Sequence, residues 1–276
     1  MRPDRRREVE IMKRLLALVI AAVTLVTVFT GCGAKKNDSD LSYIQGKKEM
    51  VIGITLFAPM NYYDSNKKLV GFETEFAEAV CEKLGVKPKF VEIKWDSKET
   101  ELASKNIDCI WNGLTITDER KENMALTNPY MSNKQILVAK GDNAVKAAES
   151  VDGLAISAEQ GSTGESVVTE NEFFAKAKLT SVDDQAKALL EVESGVADAA
   201  VVDYVMSIGS IGEGTDYADL KLADKDLQST EDYGIAFRKG SDTAAKVNEI
   251  ISEFAADGTL KKIAEKYKLQ DLVTAK

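Results

Sequence analysis

Histidine is absent from all 276 residues, which removes His-based triads, His metal sites and His general bases in one step. Carboxylates, lysine, tyrosine and cysteine are left as the only side chains for catalysis, and no pattern in the chain implies a metal or a cofactor. Proline is scarce at 4 residues, and no internal repeat or long Ser/Gly tract occurs, so nothing beyond the first forty-odd residues argues for disorder. Positive charge is in deficit, with 36 Lys and Arg against 45 Asp and Glu, and a nucleic-acid partner is excluded because phosphate binding needs clustered basic residues. What remains, 44% apolar and 29% charged residues, is the make-up of a soluble globular protein of one or two domains.

The N-terminus reads as an export signal. Lys13 and Arg14 precede the uncharged apolar run "LLALVIAAVTLVTVFTG", which ends in small residues and Cys32. A transmembrane anchor is the competing reading, but the run is a little short of the roughly 20 residues a bilayer crossing needs. "FTGC" followed by "GAKKNDSD" resembles the lipobox of bacterial lipoproteins, in which the cysteine becomes the lipidated first residue. Either Met1 or Met12 can start such a leader. Residues 1–31 hold three more basic than acidic residues, so the chain from Cys32 carries a net charge of −12 against −9 for the whole. Residues 32–48 are polar and suit a tether.

Strands and helices alternate from there. "MVIGIT" is a strand, and "GFETEFAEAVCEKLGV" places Phe76, Ala77, Val80, Cys81 and Leu84 on one helical face with Gly85 to end it. "KFVEIKW", a helix over Ser97–Ser104 and the strand in "IDCIWNGLT" complete a βαβαβ unit, which implies a parallel sheet covered by helices. A second unit follows "QILVAK": "GLAISAEQ" leads into the helix of "GSTGESVVTENEFF", and Ser181 with Asp184 at capping-box spacing opens "SVDDQAKALLEVESG". "ADAAVVDY" is an apolar strand ending in Asp203, and "YGIAFRK" with two helices closes the chain. Two such units predict two lobes rather than one continuous sheet. Cys81 and Cys109 read as packed thiols, and a disulfide between them stays open.

Ligands of open parallel sheets sit beyond the carboxyl ends of the strands, and four features fall there. "GLTITDER" offers Gly113, Thr115 and Arg120; the guanidinium suits a carboxylate, although a surface ion pair with Asp118, Glu119 or Glu122 would also explain it. "QGSTGES" offers Gly161, Ser162 and Thr163 at a helix start. Asp203 serves either a ligand or the cap of the next helix. Phe57, Tyr62 and Trp95 are either an apolar wall or core. An anion site, a carboxylate and an apolar wall are together what a zwitterion with a side chain requires.

From about Met50 to Tyr267, the segments "GITLFAPMNY", "LVGFETEFAEAVCEKLGV", "GLTITDERK" followed by "NPY", "AEQGSTGES", "DDQAKALLEVESGVADAAVVDY" and "YGIAFRKGSDTAAKVNEIISEFAADGTLKKIAEKY" resemble the extracellular solute-binding proteins of polar amino acid ABC transporters. The resemblance implies a two-lobed α/β fold of the periplasmic-binding-protein type II kind with the ligand cleft between lobes. Its expected organisation is a signal peptide at 1–31, a tether at 32–48, one lobe from 49–132 with 232–276 and the other from 133–231. It implies no catalysis, no cofactor and no metal, a monomer lipid-anchored at Cys32 to the outer face of the cytoplasmic membrane, and delivery of an amino acid to the membrane subunits of an ABC importer. Carried over, Arg120 pairs with the ligand α-carboxylate, helped by Thr115 and the N–H groups of Ser162 and Thr163. Asp203 and the Gly113 carbonyl receive the α-ammonium, Phe57 and Trp95 form the side-chain wall, and Trp111 and Asn112 flank the floor. Thr55, Met60 and Asn61 stand in the first loop where a charge-reading member would offer Asp or Glu, which favours a neutral polar or sulfur-containing ligand such as glutamine or cystine. The competing classes are an enzyme on the same fold, cyclohexadienyl dehydratase-like, with Glu99 or Glu165 as its acid, and the sensing lobe of a signalling system.

Overall fold

The structure, a computed structural model, describes residues 39–276; the signal peptide at 1–31 and the lipidation at Cys32 lie outside the described residues. The chain begins with α1 (Asp40–Lys47), β1 (Glu49–Ile54), the short pair β2 (Tyr62–Tyr63) and β3 (Leu69–Val70), α2 (Phe72–Leu84), β4 (Lys87–Glu92), α3 (Lys98–Ala103) and β5 (Cys109–Thr115). α4 (Asp118–Asn123), β6 (Met124–Leu126) and β7 (Met131–Lys140) lead into α5 (Asn143–Glu149), β8 (Ala155–Glu159), α6 (Thr163–Glu170), β9 (Lys178–Val182), α7 (Gln185–Ser194), β10 (Ala199–Asp203) and α8 (Tyr204–Ser210). β11 (Leu220–Leu222), β12 (Thr230–Arg238), α9 (Thr243–Ala256) and α10 (Thr259–Lys266) complete it.

The same wiring occurs twice, as the two βαβαβ units predict. β1 lies between β4 and β5 and is parallel to both, and β8 lies between β9 and β10 and is parallel to both. Every residue of β5 and β10 is buried, the pattern of parallel strands covered on both faces. The halves meet through two antiparallel strands, in the order β4-β1-β5-β12-β7-β10-β8-β9, so the expectation of two separate sheets becomes one curled sheet spanning two lobes. β12 pairs with β5 along its later part and with Met131–Lys134 of β7 along its first part, while β7 continues to pair with β10.

Each half packs its helices onto the sheet, and the largest buried cluster runs from one half into the other. In the first, α2 lays Phe76, Ala77, Val80, Cys81 and Leu84 onto the sheet as its spacing predicts, and Gly85 ends it at φ 72°. Phe76 meets the edge of Trp111 at 5.0 Å and of Tyr130 at 5.6 Å, so Trp111 is a core residue and not the floor of a site. Cys81 and Cys109 are buried and unbridged, and burial pushes the Cys81 thiol up to about 12. In the second half, Leu137, Ile156, Val168, Phe174, Ala199 and Val201 form the centre.

Two local expectations are corrected. The tether does not extend to residue 48: residues 40–47 form α1, because Asp40, Ile44 and Lys47 share one helical face and each finds a partner in the body. Ile44 is fully buried, Asp40 accepts from Arg238 at 2.7 Å, and Lys47 pairs with the buried Asp108. Helix α7 is capped by Asp184, whose carboxylate accepts from the Lys187 N–H at 2.7 Å, and not by Ser181, which lies in β9 and gives its hydroxyl to Glu165.

Candidate functional site

Four parallel strands end at one place, and each ends in a polar side chain or a glycine. β1 runs out at Thr55, β5 at Gly113 and Thr115, β8 at Glu159, and β10 at Asp203. These are the carboxyl ends at the two points where strand order reverses, the position where sheets of this kind hold ligands. A cleft between the halves is lined by Trp95, Asn112, Gly113, Thr115, Arg120, Glu159, Ser162, Thr163, Gln185 and Asp203. Across it the Thr163 hydroxyl donates to Thr115 at 3.0 Å and the Lys98 ammonium to the Gly161 carbonyl at 3.0 Å, while on its own side Lys98 also donates to the Trp95 carbonyl at 3.1 Å.

The first half supplies the cation. α4 is capped by Thr117, whose hydroxyl accepts from the Arg120 N–H at 3.2 Å; this sets the side chain of Arg120 back under the end of β5, where Nη1 donates to the Thr115 carbonyl at 2.8 Å. Arg120 is buried, and no carboxylate among the described residues lies within salt-bridge distance of it, so it is not the surface ion-pair partner of its helix neighbours. Gly113 has φ +57°, and a Cβ there would stand 2.7 Å from the Phe57 ring; the position admits only glycine. Its N–H donates to the fully buried Glu73 at 2.9 Å, and Tyr130 donates to the same oxygen. Burial raises Glu73 to about 7, against the pull of those two hydrogen bonds. Asn112 holds the first loop by accepting from the Thr55 N–H at 2.9 Å and donating to Asn61 at 2.8 Å.

The second half supplies the anions. Ser162 caps α6 by accepting from the Glu165 N–H at 3.1 Å, while Glu165 accepts from the Gly161 N–H at 2.7 Å. With the Ser181 hydroxyl on its other oxygen, Glu165 is committed to the start of the helix. Asp203 accepts from Asn133 at 2.8 Å and from the amides of Gln135 and Gln185. Its own helix cap is not made by its side chain, which leaves the carboxylate to the cleft. Glu231 on β12 accepts from Thr115 at 2.7 Å and from Gln135 at 2.7 Å, beside Asp203. Burial pushes both carboxylates upward, and for Glu231 the Asp203 charge adds to it. Glu159 is 3% exposed, and burial with the charges of Asp203 and Asp184 raises it well above the ordinary carboxylate range.

Of the eight ligand-binding candidates, Trp95, Gly113, Thr115, Arg120, Ser162, Thr163 and Asp203 line one cleft. Phe57 is 2% exposed behind Gly113, shaping the glycine rather than bordering the cleft. Glu99 is exposed and Glu165 is spent on capping, so neither candidate acid faces the cleft. One acidic residue that the first-loop argument did not consider lines the cleft: Glu159, from the end of β8 and not from the first loop. Sequence reasoning also missed Gln185, Asn133, Gln135 and Glu231. Glu159 stands in the quoted "AEQGSTGES" and carried a visible signal, a carboxylate closing an apolar strand; the residues of β7 and β12 carried none, because only the crossing of those strands brings them to Asp203.

A two-lobed α/β fold with a polar interlobe cleft at strand ends is the architecture of periplasmic binding proteins. The family model for bacterial extracellular solute-binding proteins, family 3, matches residues 50–270, and the chain belongs to that family. It is 28% identical over 254 residues to the L-cystine-binding protein TcyJ of Escherichia coli (strain K12), covering 90% of this chain and 94% of that one. It is 26% identical over 257 residues to the arginine-binding extracellular protein ArtP of Bacillus subtilis (strain 168), covering 93% and 98%. Among solved structures, the ancestral amino acid-binding protein AncCDT-1, described as a precursor of cyclohexadienyl dehydratase, superposes with a TM-score of 0.71 at 29% identity over 83% of this chain and 99% of that one.

Proposed function

We propose that the chain binds an amino acid in the interlobe cleft and delivers it, unchanged, to the membrane subunits of an ABC importer. The observation that carries this reading is the buried Arg120, without a carboxylate partner among the described residues, facing the buried Asp203 in one cleft: a cation and an anion held apart are the complement of an α-carboxylate and an α-ammonium. Arg120, Thr115 and the N–H groups at Ser162 and Thr163 take the carboxylate; Asp203 and the Gly113 carbonyl take the ammonium; Trp95 borders the side chain. The amino acid ligands in the names of TcyJ and ArtP support the class. Of the ligands favoured by the first loop, sulfur-containing cystine suits the cleft better than glutamine, because its second ammonium can pair with the acidic Glu159 that lines the cleft.

In this reading the lobes comprise 49–132 with 232–276 and 133–231, hinged where β7 and β12 pair at Met131–Lys134 and Thr230–Tyr233. The protein is exported as a monomer and held at the membrane by lipidated Cys32. The likeness to a dehydratase precursor makes turnover the competing reading. A thermal-shift screen against the amino acids separates the two. A ligand at 100 times its Kd adds about 2.7 kcal/mol of stability, and the ligand recovered afterwards is intact; no shift with any amino acid, or a converted ligand, overturns the reading.

A further inference from the structure

We infer that Glu159 is a specificity-determining residue that receives a second cationic nitrogen of the ligand, apart from the α-ammonium at Asp203. The inference rests on the amino acid reading of the cleft and narrows its ligand to amino acids with two cationic groups. The second nitrogen is either the end of a lysine- or arginine-like side chain or the second ammonium of a disulfide-linked diamino acid such as cystine.

The argument is one of unmet hydrogen-bonding capacity. Glu159 lines the cleft with Trp95, Arg120, Gln185 and Asp203, is 3% exposed, and its Oε1 is buried with no hydrogen-bond partner among the described residues. The neighbouring carboxylates are engaged. Asp203 has the amides of Asn133, Gln135 and Gln185, Glu231 has Thr115 and Gln135, and Glu165 has the Gly161 N–H. A buried acceptor without a donor costs stability, and an ionised one costs more. The Thr55 hydroxyl and the Lys98 charge offset part of that cost at Glu159, and Oε1 is left without a donor among the described residues. The packed elements bring four groups to it: Lys98 from α3, Asp203 from β10, Asp184 from the start of α7 and Thr55 from the end of β1. Lys98, the one cation of the four, donates to the carbonyls of Trp95 and Gly161. The two aspartates repel a charge on Glu159, so its proton is retained until a cation arrives. A ligand ammonium or guanidinium beside Oε1 supplies both the donor and the charge that turn the acid into a carboxylate, and the proton leaves to solvent.

Calorimetric titration of the full chain in detergent with arginine, lysine, cystine, and the neutral counterparts citrulline and glutamine tests this. The parent is expected to prefer one of the first three over the neutral pair by about 100-fold or more, the scale of a buried charge pair. Titration in buffers of different ionisation enthalpy is expected to register release of a proton. In Glu159→Gln, which keeps shape and removes charge, the preference collapses to within about threefold. Tightest binding of cystine assigns the second nitrogen to a second α-ammonium, and of arginine or lysine to a side-chain end. Tightest binding of a neutral ligand, or a Glu159→Gln protein with its preference intact, overturns the inference while leaving the amino acid reading standing. No binding in any arm overturns both. The proton count is read on the parent, so its absence decides against Glu159 even where the variant does not fold.

Discussion

Replacing Glu73 with glutamine isolates the energetic cost of one buried carboxyl that shapes the cleft from behind. Glu73 is fully buried on α2, takes the Gly113 N–H at 2.9 Å and the Tyr130 hydroxyl on one oxygen, and leaves the other oxygen without a partner among the described residues. Burial raises it from 4.5 to about 7, so the folded chain keeps this proton over a range in which the unfolded chain has released it. The folded state then binds more protons than the unfolded state between these values, and stability falls as pH rises through that window, with the loss complete above the folded pKa. For a single group with these two values, the loss between pH 5 and pH 9 is about 2 to 3 kcal/mol. Glu73→Gln keeps the acceptor for Gly113 and removes the titration. Urea denaturation of parent and variant without ligand, at five pH values across that range, gives the difference between them. Taking the difference cancels the contributions of Glu159, Asp203 and Glu231, which titrate in both proteins. The stability of the variant relative to the parent is expected to climb by about 2 to 3 kcal/mol from pH 5 to pH 9. A flat difference would refute the assignment of a raised, proton-holding Glu73.

Three further outcomes are expected. Gly113→Ala forces a side chain into φ +57° and to 2.7 Å from the Phe57 ring, so melting temperature falls and ligand affinity drops about tenfold or more by calorimetry; an unchanged pair of values contradicts the placement of Phe57. Asp108→Ala removes the buried partner of Lys47 and Arg238 and the acceptor of the Val51 N–H at 2.7 Å, which costs about 3 to 5 kcal/mol in denaturant unfolding. A cost below about 1 kcal/mol would mean that α1 is not anchored through it. Cys32→Ser releases the protein from the membrane or leaves it unprocessed, read by fractionation; a processed variant that stays attached counts against a lipid anchor, since stable attachment takes more than one acyl chain.

How far the sequence spoke for the structure depended on whether a contact is local. The apolar face of α2 and the all-buried β5 and β10 were legible because 3.6-residue spacing and unbroken apolar runs are written within each segment. Gly113, Thr115, Arg120 and Asp203 were legible because each stands where an apolar run stops. The helix α1 was not: its eight residues hold one fully buried apolar side chain, Ile44, and its docking depends on Arg238, 198 residues from Asp40. Glu231, Asn133 and Gln135 were hidden for the same reason, since the pairing of β7 with β12 is a non-local event that no periodicity announces. Glu159 stood in a quoted segment with no role drawn from it; its burial is what distinguishes it.

The central claim is that Arg120 and Asp203 hold the two α-groups of an amino acid, and calorimetric titration of Arg120→Ala beside the parent, with the ligand that most stabilises the parent, tests it most directly. Removing the guanidinium leaves the ligand carboxylate buried and unpaired, at about 3 to 5 kcal/mol, so affinity is predicted to fall by roughly two to four orders of magnitude while the melting temperature without ligand holds. An Arg120→Ala protein that binds the same ligand as tightly as the parent would contradict the account.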